Sequence, residues 1–204
     1  MSIIFIRHGE TLLNAARTIQ PADTPLAPRG LAQAEHVAAR VRALKPADIL
    51  TSDMPRAWQT TEAICRHTGL TPISLDLLWE RNFGDLRGVS HDSLSFNAME
   101  MLEAPANGES MADFHARITQ ALAFAASHRA CIDGPLVVVS HGLVIRALLE
   151  NNIDLGPHAL PERIGNTSLT IISAQSPHRA ELVNCTAHLV GTGLAEGEHS
   201  LSGG

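Results

Sequence analysis

The sequence predicts an α/β layered fold in which helices flank a mostly parallel central sheet. Two short apolar runs, at 2–6 and 136–139, have the length and residue types of buried strands. Segments with apolar residues at helical spacing lie between and after them, so strands alternate with helices along the chain. The chain has 204 residues, of which 45% are hydrophobic and 18% charged, which is enough for one α/β domain with a buried core.

The first half of the chain predicts two strands and two helices. The strand at 2–6 is followed by a turn-rich segment at 20–30. Apolar residues then recur at helical spacing at Leu31, Ala34, Ala38 and Val41. A second strand is predicted at 48–51 and a second helix at 56–67. Ser52 or Asp53 can cap the N-terminus of that helix, and Pro55 lies in its first turn. Gly69 is expected to end it.

The second half continues the alternation. Ser110 and Asp113 resemble a capping box that opens a helix. Its apolar face is predicted to contain Met111, Phe114, Ile118, Leu122 and Ala125. The strand at 136–139 precedes a helix at 143–150, and late strands are predicted at 169–172 and 181–184.

Composition excludes several classes of protein. The 15 Lys and Arg residues are scattered among 21 Asp and Glu, for a net charge of −6, so no nucleic-acid surface is expected. No run approaches the ~20 apolar residues of a membrane span, and the N-terminal apolar run is too short for a secretory signal. A cytoplasmic protein with no membrane partner is therefore expected, and a homodimer is compatible with the sequence.

The cysteines and histidines carry no metal motif. Cys65, Cys131 and Cys185 are odd in number and far apart, which predicts neither a disulfide framework nor a metal pair and suits a reducing cytoplasm. Cys131 is interpreted as a small buried residue. The 11 histidines lack close pairs such as those of HExxH, so most are expected at the surface. A histidine-rich metal binder stays an alternative that no ligand spacing supports.

Chemistry is concentrated where three predicted strands end. The first strand runs into Arg7 and His8, the second leads to Arg56, and the strand at 136–139 runs into His141. In open α/β sheets, ligands bind outside the carboxyl ends of the strands. Glycine follows both histidines and allows a sharp turn or a close backbone approach. Two arginines and two histidines that converge there would form an anion pocket suited to a phosphoryl group.

Six blocks in sequence order resemble the histidine phosphatase superfamily, also called the phosphoglycerate mutase-like family. They are FIRHGET (5–11), DTPLAPRGLAQA (23–34), SDMPRAWQT (52–60), LWERNFGDLRG (78–88), NGES (107–110) and VVVSHGLVIRALL (137–149). The resemblance covers 3–172 and implies a three-layer sandwich with a mostly parallel central sheet. It also implies a phosphatase domain at 1–190 with a small cap insertion near 82–108, and 191–204 is interpreted as a loose tail.

The resemblance implies a role for each residue of the pocket. His8 would be the nucleophile that forms a phosphohistidine. Arg7, Arg56 and His141 would hold the phosphoryl oxygens and neutralise charge during transfer. Glu80 would protonate the leaving oxygen and then take a proton from the attacking water, for which its pKa should be raised. No metal or organic cofactor is needed for this chemistry.

Other residues are expected to make secondary contacts in the site or are alternatives to Glu80. Secondary contacts to phosphate oxygens or substrate hydroxyls are implied for Thr11, Asn14, Gln20 and the backbone amide of Gly142. The loop at 20–23 is shorter than the commoner glycine-containing loop of the family, which weakens the expectation for Gln20. Asp85 and Glu10 are the nearest rivals of Glu80, and Glu10 is interpreted as a support for the arginines. Ser140 lacks the glycine two residues earlier that a GxSxG elbow requires.

Two activities compete within the superfamily. Cofactor-dependent phosphoglycerate mutases usually carry a tryptophan before the asparagine that matches Asn14, whereas this chain has Leu13, and they have a longer basic insertion after the acid-bearing segment. The segment ERNFGDLRG, however, is close to the mutase version. The sequence favours a phosphoric monoester hydrolase that acts on a small phosphorylated metabolite. The alternatives are a 2,3-bisphosphoglycerate-dependent phosphoglycerate mutase and a non-catalytic phosphate-binding protein.

The leaving group is expected to be selected by the cap at 82–107 and by the turn at 20–23. Candidate substrates range from sugar phosphates and nucleotide-like monophosphates to phosphoglycerate. The net negative charge disfavours a strongly polyanionic substrate.

Overall fold

A six-stranded mixed sheet forms the centre of the computed structural model, which describes residues 2–195. In chain order the strands are β1 (Ser2–Arg7), β2 (Asp48–Thr51), β3 (Ile73–Ser74), β4 (Leu136–Ser140), β5 (Leu169–Ser173) and β6 (Ala180–Cys185). Their order across the sheet is β3-β2-β4-β1-β5-β6. The pairings among β1 to β4 are parallel, whereas β5 pairs antiparallel with both β1 and β6. The predicted mostly parallel sheet is confirmed, with antiparallel pairing confined to one side.

Helices cover both faces of the sheet. The described residues form α1 (Leu12–Ala15), α2 (Pro28–Ala43), α3 (Pro55–Thr68), α4 (Met111–Ala130) and α5 (Gly142–Asn151). Because side chains alternate along a strand, Ile4 and Ile6 pack into one core with α2 and α3, whereas Ile3 and Phe5 pack into another with α4 and α5. This arrangement is the three-layer sandwich. No helix among residues 2–195 has the length and apolar character needed to cross a bilayer.

Local sequence signals explain where the helices begin and end. Pro55 occupies the first turn of α3, and Gly69 ends it in the left-handed conformation at φ 76°. Ser110 caps α4 by accepting a hydrogen bond from the Asp113 backbone N–H, as predicted. Thr11 and Asn14 form a reciprocal capping box around α1, a helix too short to be predicted from periodicity.

Two local predictions were wrong. The N-cap residue of α3 is Met54, not Ser52 or Asp53, because the helix begins directly at Pro55. Cys131 is exposed rather than buried, because it follows the last residue of α4 at the surface.

The segment at 82–108, which was predicted to be a cap insertion and is called the cap below, contributes to a small apolar cluster. It is built from short 3-10 turns at Gly84–Leu86, His91–Ser93 and Ala98–Glu100. Phe83 and Ala98 pack against Ile19 in a cluster separate from the two main cores. Backbone hydrogen bonds from Ile19 to Val89 O (3.0 Å) and from Gly88 to Ile19 O (2.7 Å) join the cap to the loop after α1. The cap is thereby fixed over the carboxyl end of the sheet. Most of the predicted tail at 191–204 lies outside the described residues.

Candidate active site

The three strand ends singled out in the sequence meet at one edge of the sheet. β4 lies between β1 and β2, and all three strands are parallel, so their carboxyl ends are neighbours. The His8 backbone N–H donates to the Ser140 carbonyl (3.0 Å), and the Ser52 N–H donates to the Val139 carbonyl (3.0 Å). These bonds continue the sheet pairing into the loops that carry the polar side chains.

Two buried imidazoles face each other at this edge. The rings of His8 and His141 lie with centroids 5.2 Å apart at an interplanar angle of 61°. Nδ1 of His8 is 2.7 Å from the Gly9 carbonyl oxygen, which can only accept, so Nδ1 carries the proton and Nε2 carries the lone pair. Burial lowers the pKa of His8 well below its usual value, and the charges of Arg56 and Arg7 lower it further. His8 is therefore a neutral imidazole, the form that can attack phosphorus.

His141 is also neutral. Burial lowers its pKa well below the usual value, with further lowering by Arg56. Its Nε2 lies 2.8 Å from the Ser52 hydroxyl, which also accepts a hydrogen bond from the Met54 backbone N–H (3.3 Å). Nδ1 of His141 is buried and has no hydrogen-bond partner among residues 2–195.

Two buried guanidinium groups make the pocket positive. Arg7 and Arg56 are 0% and 1% exposed. Arg7 donates to the Ile164 carbonyl at 2.5 Å. Arg56 makes long hydrogen bonds to the carbonyls of Pro21 (3.3 Å) and Ala22 (3.4 Å) and contacts the Met54 sulfur (3.5 Å), and its buried Nε has no acceptor among residues 2–195. Burial lowers the pKa of Arg56 to about 10, so it stays charged at neutral pH.

Glu80 is the carboxyl group of the pocket. It is 3% exposed, its Oε1 accepts from the Arg81 N–H (3.0 Å) and its Oε2 accepts from the Leu143 N–H (3.2 Å). Burial raises its pKa against the lowering effect of these two backbone hydrogen bonds. The side chain of Arg81 does not pair with Glu80 but donates to cap carbonyls, including that of Met101 (2.6 Å). Glu80 is thus positioned as a buried acid beside the arginines.

The rivals of Glu80 lie elsewhere. Asp85 is exposed and accepts from the Asn107 side chain (3.0 Å). Glu10 forms an ion pair with Arg29 (3.8 Å). Ser140 donates its hydroxyl proton to the Leu78 carbonyl (2.7 Å), which leaves it unsuited to act as a nucleophile.

The secondary residues form one hydrogen-bonded group. Thr11 donates from Oγ1 to Gln20 Oε1 (2.8 Å), and its backbone N–H donates to Asn14 Oδ1 (3.1 Å). All three side chains are buried, and Nε2 of Gln20 has no acceptor among residues 2–195. Gly142 is the first residue of α5, so its N–H lies at the positive end of that helix.

Sequence reasoning missed the loop that holds the backbone of Arg7 and His8. Asn166 donates from Nδ2 to the His8 carbonyl (3.0 Å), and the Thr167 N–H lies 3.1 Å from the Arg7 carbonyl and 3.3 Å from that of His8. Thr167 does this with φ at 55°, a strained value for a β-branched residue. The dipeptide Gly165-Asn166 before a late strand indicates a turn, but nothing in the sequence indicates which backbone it contacts.

Two cavities approach the site. One of about 750 Å³ is lined by Glu80 together with Ala22 and Met54, both of which contact Arg56. A larger cavity of about 1060 Å³ lies between the cap, α4 and α5, and is lined by none of the five proposed catalytic residues. The smaller cavity is therefore the one connected to the chemistry. Among residues 2–195, no three His, Cys, Asp or Glu side chains are grouped as metal ligands.

The comparison with protein families decides the membership of this chain. The family model "Histidine phosphatase superfamily (branch 1)" matches residues 3–186. The chain belongs to the histidine phosphatase superfamily. The family and the fold are those that the sequence predicted.

Relatives within the superfamily carry two kinds of name. A protein of Yersinia pestis (strain Pestoides F) named "Probable phosphoglycerate mutase GpmB" is 36% identical, over 93% of this chain and 95% of its own. The solved mycobacterial glucosyl-3-phosphoglycerate phosphatase, in complex with VO3, has a TM-score of 0.78 at 27% identity and covers 91% of this chain and 99% of its own. Phosphoglycerate mutase from Thermus thermophilus has a TM-score of 0.69 at 29% identity, over 89% and 97% of the two chains.

Proposed function

We propose that this protein is a metal-independent phosphomonoesterase that works through a phosphohistidine on His8. The observation that carries the proposal is a set of three buried nitrogen atoms that lack hydrogen-bond partners within residues 2–195: Arg56 Nε, His141 Nδ1 and Gln20 Nε2. Buried polar atoms are nearly always satisfied, so such a set, of which Arg56 and His141 lie beside the neutral imidazole of His8, indicates a site for an anion. A phosphoryl group supplies acceptor oxygens, and its negative charge complements the positive charges of the two arginines.

In the first step, Nε2 of His8 attacks phosphorus while the bond between phosphorus and the leaving oxygen breaks. Glu80 gives its proton to that oxygen, so the leaving group departs as an alcohol. Arg7, Arg56 and His141 contact the transferring oxygens and stabilise their charge. The bond between His8 Nδ1 and the Gly9 carbonyl fixes the tautomer that makes Nε2 nucleophilic.

In the second step, a water molecule attacks the phosphohistidine and the bond between phosphorus and nitrogen breaks. Glu80, now a carboxylate, takes the proton of this water. Inorganic phosphate and neutral His8 are the products, and the acid is again protonated. Each residue ends the cycle in its starting form, without a metal ion.

The surroundings of Glu80 favour hydrolysis of the phosphohistidine over transfer of its phosphoryl group to a second substrate oxygen. A mutase must hold the phosphohistidine away from water, whereas the cavity of about 750 Å³ beside Glu80 offers water a path. Its lining contains only two cations, Arg87 and Arg117, and Arg117 is already paired with Glu109 (2.7 Å). A bisphosphate would find few partners there.

The second candidate is a phosphoglycerate mutase. It is favoured by the name of the 36% identical Yersinia relative. The two candidates share the first step and differ in whether water or a second substrate oxygen accepts the phosphoryl group.

The test is hydrolysis of p-nitrophenyl phosphate in EDTA by the wild type, by His8→Ala, and by His36→Ala as a control on the exposed side of α2. We expect metal-independent turnover by the wild type and His36→Ala, and a loss of at least about 10³-fold in His8→Ala. Absence of hydrolysis by the wild type, together with 2,3-bisphosphoglycerate-dependent isomerisation of 3-phosphoglycerate, would establish the mutase instead.

A further inference from the structure

We propose that the enzyme selects phosphomonoesters whose leaving alcohol is cationic or neutral with an apolar part, such as an amino alcohol, and discriminates against leaving groups that carry a second anion. The inference rests on the proposed function, since it treats Glu80 as the acid that faces the leaving oxygen. The structural basis is the cavity of about 750 Å³ that contains Glu80, which we call the leaving-group cavity.

The leaving-group cavity shares residues with the pocket. Glu80 is part of its lining. Ala22 and Met54 also line it, and both contact Arg56 through the Ala22 carbonyl (3.4 Å) and the Met54 sulfur (3.5 Å). A phosphoryl group held by Arg56, with its ester oxygen directed to Glu80, would therefore extend its leaving group into this cavity.

Carboxylates dominate the lining of the cavity. Apart from the catalytic acid Glu80, the acidic residues are Asp23, Asp53, Asp76, Glu109 and Asp113. The two cations do not balance them, because Arg117 is bound to Glu109 through two hydrogen bonds (2.8 and 2.7 Å) and to the backbone carbonyl of Trp79 (2.8 Å). Among the described residues of the lining, Arg87 is therefore the one cation that can balance the other carboxylates. A leaving group with a carboxylate or second phosphate would meet repulsion.

Two of the acidic side chains accept hydrogen bonds from neighbouring side chains. Asp53 accepts from the Trp79 indole N–H (2.5 Å), and Asp113 accepts from the Ser110 hydroxyl (2.6 Å). Both donors are neutral. The cavity thus combines negative charge with the apolar surface of Met54, Leu77 and the half-exposed Trp79. An ammonium or a nitrogen heterocycle on a short carbon chain fits both properties.

The test uses three two-carbon phosphomonoesters that differ in the charge of the leaving group: phosphoethanolamine, 2-hydroxyethyl phosphate and 2-phosphoglycolate. Their kcat/KM values are compared for the wild type, the double variant Asp23→Asn/Asp76→Asn, and Asp133→Asn. Asp133 lies in the loop before β4, at the opposite end of the sheet, and serves as the matched control. p-Nitrophenyl phosphate reports the basal activity of each protein.

We expect phosphoethanolamine to be preferred over 2-phosphoglycolate in the wild type by about tenfold, with the neutral ester between them. The double variant should lower this ratio by about threefold to tenfold, and Asp133→Asn should leave it unaltered. Because intrinsic leaving-group reactivity is the same for every variant, the change in ratio isolates the lining charges. The preference should also shrink as salt is raised.

Two results separate failure of this inference from failure of the proposed function. A wild type that hydrolyses p-nitrophenyl phosphate but prefers 2-phosphoglycolate, or a ratio that the double variant does not change, would overturn the inference alone. No hydrolysis of any ester would overturn the proposed function, and the inference with it.

Discussion

The pKa values of His8 and Glu80 are shifted in opposite directions, and burial is the main cause of both shifts. Removal from water disfavours a charged group, so the pKa of the imidazole falls and that of the carboxyl rises. The result is a neutral nucleophile beside an acid whose proton is retained to higher pH. This pairing is what the first step of phosphoryl transfer requires.

A pH profile tests this pairing. As pH rises through the raised pKa of Glu80, above its usual 4.5, the acid loses its proton and kcat/KM for an alkyl phosphate should fall. Glu80→Gln cannot titrate, so it should lack this alkaline limb and lose about 10²- to 10⁴-fold in kcat. p-Nitrophenyl phosphate needs little protonation of its leaving group and should show a smaller loss. An alkaline limb that persists in Glu80→Gln would assign it to another group.

The residues of the pocket could be predicted from the sequence, but their protonation states and tautomers could not. Arg7, His8, Arg56 and His141 could be predicted to meet, because each follows a strand or opens the helix after one. The tautomer of His8 depends on the Gly9 carbonyl, and the neutrality of His141 depends on burial, which are both properties of the folded backbone. For the same reason, Gln20 could be named but its bond to Thr11 could not.

At the scale of elements, α2 sets the position of the nucleophile loop through backbone contact. A Cβ on Gly9 would lie 2.5 Å from the Gly30 carbonyl oxygen, and a Cβ on Gly30 would lie 2.0 Å from the Glu10 carbonyl oxygen. The glycine after His8 is therefore required for contact with a helix, whereas the sequence had indicated a tight turn or contact with a ligand.

Gly30→Ala should displace this loop. Because the blocking atoms are backbone, we expect a loss of about 1–3 kcal/mol in the free energy of unfolding and at least about tenfold in kcat/KM. Leu31→Ala, at the next and exposed position of the same helix, should change the free energy of unfolding by less than about 0.5 kcal/mol. Urea unfolding and p-nitrophenyl phosphate assays on the two variants provide the comparison. Equal effects of the two substitutions would contradict the proposed contact.

Elements with strong local signals were predictable, and those made by distant contacts were not. α3 could be placed within one residue by Pro55 and Gly69, and β4 by its run of valines. The two-residue β3 exists because it pairs with β2, and it has no pattern of its own. The loop at 164–168 likewise takes its shape from hydrogen bonds to Arg7 and His8, far away in the chain.

At the scale of the whole molecule, the buried pocket couples folding to pH. His8 and His141 have pKa values well below 6.5 in the folded protein and regain ordinary values on unfolding. As pH falls through 6.5, the unfolded chain therefore binds protons that the native protein does not, and the free energy of unfolding decreases. Glu80 has the opposite sign, because its raised pKa lets the native state bind a proton first. The pKa values of His91 and His188 are also lowered in the folded protein, so these two residues act in the same direction as His8 and His141.

Urea unfolding between pH 8 and pH 5, in phosphate-free buffer, should show this decrease. Each imidazole can contribute at most about 1.4 kcal/mol per pH unit. His8→Asn removes one titrating group and should make the decrease shallower, and the difference between the two proteins cancels contributions from surface carboxylates. An identical slope in His8→Asn would show that His8 is protonated in the native state.

The central claim is that the phosphoryl group passes through His8, and trapping that intermediate tests it most directly. In Glu80→Gln, p-nitrophenyl phosphate can still phosphorylate the enzyme, whereas hydrolysis of the intermediate lacks its base, so the phosphoenzyme should accumulate. An alkaline quench followed by peptide mass spectrometry should locate the phosphoryl group on Nε2 of His8, and the double variant His8→Ala/Glu80→Gln should carry none. A phosphoryl group on another residue, or turnover by the wild type with no phosphoenzyme under these conditions, would contradict the account.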